Sequence, residues 1–242
     1  MVKVLALSFL VLGCTAPQRA GDDAETDDSV ETTGAEDPSD ELPAVAGTDA
    51  ASPREALLAE AERELAAMRS SHYEHHTRVD EATGLYDYDC SGFVGYALKR
   101  SAPAAWTPIA AQHRRPLAKH FEAFFAAPQA PWSQVDRAAQ LVPGDVIAWI
   151  EPPENHSRNT GHIVIAAERP RARGDELVVR VIDSSHAGHG KSDARVREAR
   201  NGLGTGDLVL HVGADGRADG YRWSTWKRSK LFFTPVAIGH LP

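Results

Sequence analysis

The chain has 242 residues, a formal net charge of −8 and two cysteines, Cys14 and Cys90. Two cysteines exclude a disulfide-stapled scaffold, and no apolar run reaches the roughly 18 residues that a membrane-spanning helix needs. From Thr15 to Pro53 there are eleven acids and a single base, Arg19, so the rest of the chain is close to neutral, which argues against nucleic acid as a partner.

In chain order, residues 1–13 read as a signal peptide: Lys3, an apolar run from Val4 to Leu12, then small Gly13 before Cys14. Val11-Leu12-Gly13-Cys14 is the pattern of a bacterial lipoprotein signal, so Cys14 is the expected lipidation site. Diacylation there would supply two acyl chains and a stable membrane anchor. Thr15 in place of an Asp resembles lipoproteins sent to the outer membrane, giving an expected place at its periplasmic face. Residues 14–52 hold no aromatic and no hydrophobic period, and read as an acidic, disordered tether. The folded part is expected over 53–242 as one monomeric domain.

That domain opens on Ser52-Pro53-Arg54-Glu55, where Ser52 can cap, Pro53 fits the first turn and Glu55 completes a capping box. Leu58, Ala61, Leu65 and Met68 then recur at helical spacing to about Arg69. A second helix is expected from Cys90 to about Lys99, with Phe93, Val94, Ala97 and Leu98 on one face. Residues 101–141 read as a helical insertion: Leu117, Phe121, Phe124 and Phe125 share a face, and Ser133 with Asp136 resembles the cap of a further helix. Short β-rich runs follow at Val146–Ile150, His162–Ala167, Leu177–Asp183, Leu208–Val212 and Tyr221–Ser224. Helices first and an antiparallel sheet after predicts an α+β fold.

With Cys14 acylated, Cys90 has no intramolecular partner, and Asp89-Cys90-Ser91-Gly92-Phe93-Val94 places it at a helix start. Unpaired N–H groups and the helix dipole favour thiolate there, and the same N–H groups can stabilise an oxyanion. Among eleven histidines, His162 in Gly161-His162-Ile163-Val164 begins an apolar strand and is the expected base. Alternation in the next run sets Leu177, Val179, Val181 and Asp183 on one face, so Asp183 ends its strand on the buried side, where an acid needs a partner.

These motifs, with Gly144-Asp145-Val146-Ile147-Ala148-Trp149 and Val181-Ile182-Asp183-Ser184, resemble in matching order the NlpC-type cell-wall cysteine peptidases over roughly Ser70 to Ser185. The resemblance implies a papain-like core, its N-terminal helices packed on an antiparallel β-sheet, with Cys90 as nucleophile, His162 as base and Asp183 orienting His162. It implies hydrolysis of an amide bond in peptidoglycan stem peptides, of the D-glutamyl-diaminopimelate type, with no cofactor and no metal. Asp183 departs from the family's usual His or Asn, and His186 is the competing third member. Arg78 stands where the family often has a tyrosine near the oxyanion site. Tyr73 is the first substitute, with Asp89 and Ser91 as further substrate or oxyanion residues, and Tyr86 is a second tyrosine. An amidase or acyltransferase using the same triad, and a non-catalytic wall-binding lipoprotein, are the alternatives. His72, His75 and His76 read as a solvated loop, His186 and His189 as cleft or loop residues, and Asp145 as a turn residue.

Overall fold

The capping box forms as its residues predict. Glu55 N–H donates to Ser52 Oγ at 3.3 Å, Ser52 N–H donates back to Glu55 Oε2 at 3.0 Å, and α1 runs Pro53–Ala67. The computed structural model describes residues 51–155 and 159–242. The signal segment, Cys14 and nearly all of the acidic tether lie outside the described residues. Among those described, no helix is long and apolar enough to cross a membrane.

After α1 comes a small antiparallel hairpin, β1 (Arg78–Asp80) and β2 (Leu85–Asp87), inside the His-rich stretch that reads as loop. The helix α2 (Cys90–Ser101) begins at the cysteine, with Asp89 as its cap. The expected helical insertion is present as α3 (Pro103–Gln112) and α4 (Ala118–Ala126), with Phe121, Phe124 and Phe125 buried. Ser133 and Asp136 do not start a helix. Ser133–Gln134 is a short strand, β3, Val135 N–H donates to the Ile238 carbonyl at 2.9 Å, and only a 3-10 turn follows at Ala138–Gln140. Strand pairing claims a backbone for which the apolar run is too short to sustain helical turns.

The remaining strands are β4 (Val146–Ile150), β5 (Gly161–Ala166), β6 (Arg171–Arg173), β7 (Glu176–Ser185), β8 (Gly202–Val212), β9 (Ala218–Arg222), β10 (Leu231–Phe233) and β11 (Val236–His240), with the short helix α5 (Ala194–Glu198) between β7 and β8. They form one antiparallel sheet in the order β10-β9-β8-β7-β5-β4-β11-β3, with β6 paired to β7. The fold is α+β: mixed helix and antiparallel sheet. The sequence reading misses β10 and β11, and starts β8 six residues late.

Side-chain alternation divides the core in two. Val146, Ala148, Ile163, Ile165 and Ile182 pack with Leu57, Phe93, Val94 and Phe121 under the helices. Ile147, Trp149, Val164, Val179, Val181 and Leu208 pack on the opposite face. His162 and Asp183 share the strand parity of that second set. Cys90 belongs to the first. The site therefore lies where the start of β5 meets the start of α2.

Candidate active site

Asp89 builds the nucleophile's surroundings. Its Oδ1 accepts from Gly92 N–H at 2.7 Å and from the Ser91 hydroxyl at 2.9 Å, which caps α2. Its Oδ2 accepts from Arg115 at 2.6 Å and lies 3.3 Å from His75 Nδ1. Ser91 thus spends its hydroxyl on the cap, while its backbone N–H and that of Ile163 lie beside the Cys90 sulfur and favour its charged form. Upstream, the Tyr88 carbonyl accepts from the Ser184 hydroxyl at 2.6 Å, which ties the cysteine segment to the end of β7.

Cys90 is 4 % exposed. Burial raises its thiol's proton affinity, the neighbouring Asp89 carboxylate adds to that, and the Ile163 and Ser91 N–H groups offset only part of it. This overturns the expectation that a helix start would lower the thiol. The backbone N–H groups act in the expected direction, but desolvation of the buried sulfur is larger.

Gly161 gives β5 its entry. At φ +141 it lies outside ordinary L-residue territory, and a Cβ there would land on the Trp149 carbonyl oxygen. The next residue, His162, is 7 % exposed, and its Nε2 lies 2.7 Å from Asp183 Oδ2. Its ring packs against Trp149 (centroids 5.2 Å apart) and Trp223 (4.9 Å). Burial lowers its proton affinity, and the Asp183 contact opposes that shift. Among the described residues, Nδ1 is committed to no hydrogen bond. The Ile163 N–H lies beside the sulfur, and no ring-to-sulfur hydrogen bond is formed at rest.

Tyr73 is the tyrosine that reaches the site. Its hydroxyl lies beside Cys90, and burial, with Cys90 and the Asp89 carboxylate nearby, raises its proton affinity. Its ring packs on His186 at 4.0 Å. Tyr86 is fully buried in the core beneath the helices, and Arg78 pairs with Asp87 at 2.6 Å. His186 contacts Tyr73 and not His162, so of the two candidates for the third position only Asp183 touches the base.

His189 lies in the loop after β7, as its surroundings predict, but turns inward. It is fully buried, with Nε2 3.1 Å from Asp183 Oδ2 and Nδ1 2.7 Å from the Trp223 carbonyl. The sequence reading also misses Arg195 and Asp193. Arg195 Nη2 donates to Asp183 Oδ1 at 2.7 Å and to Asp193 Oδ2 at 2.8 Å, and its Nη1 to the Asp183 and Gly202 carbonyls. One signal could have found them. Glycines alternate at 202, 204 and 206, opening one face of β8, and Cβ atoms at Gly204 and Gly206 would strike Arg195, and His189 and Asp193, respectively.

His162, Asp183 and His189 offer three donor atoms within 4.8 Å of one another, enough in principle for a metal ion. The Arg195 cation already occupies the other oxygen of the same carboxylate at 2.7 Å. A second cation against Asp183 would meet its repulsion, so the geometry fits a proton-bridged network better than an ion.

Two cavities adjoin the site. One of about 290 Å³ is lined by Tyr73, His75, Asp89, Cys90, Arg115 and Gly161. A smaller one, about 140 Å³, holds His162, Ser185, His186 and Trp223 and shares Tyr73 and Gly161 with the first. A third lobe of about 300 Å³ continues past Arg115 to Lys99, Arg114, His76 and Trp106, and no carboxylate lines it. A larger cavity, about 920 Å³, lies near β11 and Asp219 and contains none of these groups.

No family model matches the chain, and no solved structure matches it. It is similar to an uncharacterized protein of Acanthamoeba polyphaga mimivirus, 29 % identical over 177 residues that cover 63 % of this chain and 77 % of the other.

Proposed function

We propose that the protein is a papain-like cysteine hydrolase of the NlpC type, held in the bacterial cell envelope by lipid on Cys14 and cutting an amide bond in peptidoglycan stem peptides. The observation that carries this reading is the joint placement of Cys90 at the α2 N-terminus, under the Ile163 N–H, and of the adjoining His162 fixed through Nε2 by Asp183. With Nε2–H donated to Asp183, the lone pair of a neutral ring sits on Nδ1, the nitrogen available to act as base.

In this reading the buried pair starts as neutral thiol and imidazole. As sulfur attacks the substrate carbonyl carbon, His162 Nδ1 takes the thiol proton and the C=O electrons move to oxygen. The Tyr73 hydroxyl and the Ser91 N–H, both beside the sulfur, are the donors in reach of that oxygen. Collapse breaks the C–N bond, and the amine leaves with the His162 proton. Water then gives a proton to His162 and hydroxide to the thioester carbon; the C–S bond breaks, the acid leaves, and the sulfur takes the proton back from His162. The carboxylate-rich character of stem peptides suits the lobe of Lys99, Arg114 and Arg115 beyond the cysteine.

One observation favours a non-catalytic wall-binding protein instead: the burial of Cys90, which raises the proton affinity of its thiol. Mass spectra of sacculi digested with the soluble domain separate the two. New amine ends from wild type but not from Cys90→Ala or His162→Ala support hydrolysis, and equal spectra from all three end it.

A further inference from the structure

Asp183 gathers more partners than an orienting carboxylate needs. Its Oδ2 faces His162 Nε2 at 2.7 Å and His189 Nε2 at 3.1 Å, while Oδ1 accepts from Arg195 at 2.7 Å. The other nitrogen of His189 faces the Trp223 carbonyl oxygen at 2.7 Å. A carbonyl oxygen only accepts, so Nδ1 carries a hydrogen. An ionised carboxylate also only accepts, so a neutral His189 would aim its remaining lone pair at a negative oxygen. Moving the proton to Asp183 does not relieve this, because Arg195 and two ring nitrogens all favour its charged form, and its carboxyl is held well below the usual range against the opposing effect of burial.

The charge count leads the same way. Asp183, Asp193 and Arg195 are all buried, two negative and one positive. Asp193 is spent on Arg195 and on the His189 backbone N–H at 2.8 Å. One negative charge is left over, and an uncompensated buried charge is strongly unfavourable. The titratable and charged groups around the His189 ring are His162 from β5, Asp183 from β7, and Asp193 and Arg195 from α5 and its cap. The Trp223 ring lies 4.2 Å away at 31°, an aromatic face suited to a cation.

We propose that His189 is a positioning residue that donates from both ring nitrogens, as the buried cationic partner of Asp183, and so leaves His162 neutral and able to accept the Cys90 proton. The proposal rests on the reading of Cys90 and His162 as nucleophile and base. Without the His189 charge, the surplus negative charge falls on His162, which then holds a proton on both nitrogens and has no lone pair for the thiol.

Long-range ¹H–¹⁵N correlation spectra of the full chain carrying ¹⁵N-histidine test this, with His189 and His162 assigned by substitution. At about pH 7.5, where exposed histidines are largely neutral, both His189 nitrogens should carry hydrogen and His162 should carry one, on Nε2. A single-tautomer His189 overturns the proposal from the wild-type spectrum alone, whether or not any variant folds. In His189→Gln, which can keep one hydrogen bond to Asp183 but no charge, His162 should hold its second proton about tenfold more tightly, a shift of about one pH unit. A merely structural residue would lower the thermal midpoint and leave the His162 titration in place, and that result also overturns the proposal. Neither readout uses turnover, so a wild-type protein inert toward sacculi would count against the hydrolase reading alone.

Discussion

Glu64 offers a test of the architecture that holds the site. It lies on the buried face of α1 with no exposed surface, and its Oε2 accepts from the Tyr88 hydroxyl at 2.7 Å, two residues before Cys90. Among the described residues no cation forms an ion pair with it and Oε1 has no partner, and burial raises its pKa from 4.5 to about 8 against the weaker pull of Arg63 and Arg100. The folded state therefore keeps a proton that the unfolded chain releases above about 4.5, so stability falls as pH rises through that window and the loss is complete above about 8. At about 1.4 kcal/mol per unit, the full effect is on the order of 5 kcal/mol, an upper value. Glu64→Gln keeps an acceptor for Tyr88 and removes the titration, at the expense of a buried amide N–H lacking a partner, about 1–3 kcal/mol. Urea unfolding at pH 5, 7 and 9 should show the variant equal to or weaker than wild type at pH 5 and stronger at pH 9. If the two curves stay parallel across that range, Glu64 is not held neutral by burial and the reasoning fails.

Alkylation of Cys90 by iodoacetamide should accelerate only above the ordinary thiol range of about 8.5, because burial and Asp89 raise its proton affinity; a plateau reached by pH 7 would refute the neutral resting thiol. Gly161→Ala should sharply reduce turnover, since its Cβ has no room beside the Trp149 carbonyl and His162 must move; wild-type activity would show that the entry to β5 does not set the base. Asp183→Asn should lose about 3–5 kcal/mol of stability as well as activity, because its NH₂ must face a donor, either Arg195 or His162 Nε2. An Asn variant with wild-type urea midpoint and most of its activity would refute that.

The parts of this protein legible in its sequence are those whose signals are local. Ser52, Pro53 and Glu55 carry the cap of α1 within four residues, and the alternation from Leu177 to Asp183 carries the buried side of β7. Gly161-His162 at the head of an apolar run and Asp89-Cys90 at the head of a helical one similarly locate the two reacting groups. What is not legible depends on partners distant in the chain. Strand β3 exists because Gln134 and Ser133 pair with Gly239 and His240, about a hundred residues on. The Arg195 guanidinium looks like a surface charge in Ser192-Asp193-Ala194-Arg195 until the glycine-lined face of β8 makes room for it under Asp183. His186 and His189 are indistinguishable by composition, and only the path of the loop sends one to Tyr73 and the other to the carboxylate.

That carboxylate also explains how burial of the nucleophile and chemistry at it are compatible. A preformed thiolate–imidazolium pair would need net negative charge behind His162 to hold the imidazolium, yet the charges behind it are matched to Asp183 and Asp193 by Arg195 and, in our proposal, His189. The resting pair is then neutral, and a neutral, enclosed thiol oxidises slowly. In the exported setting proposed for this chain, that is an advantage for an unpaired cysteine. Activation falls to the substrate, whose carbonyl carbon must accept the sulfur electrons as His162 Nδ1 takes the proton. Asp183 already fixes the ring through Nε2, so the ring nitrogen that receives the proton is decided before the substrate arrives.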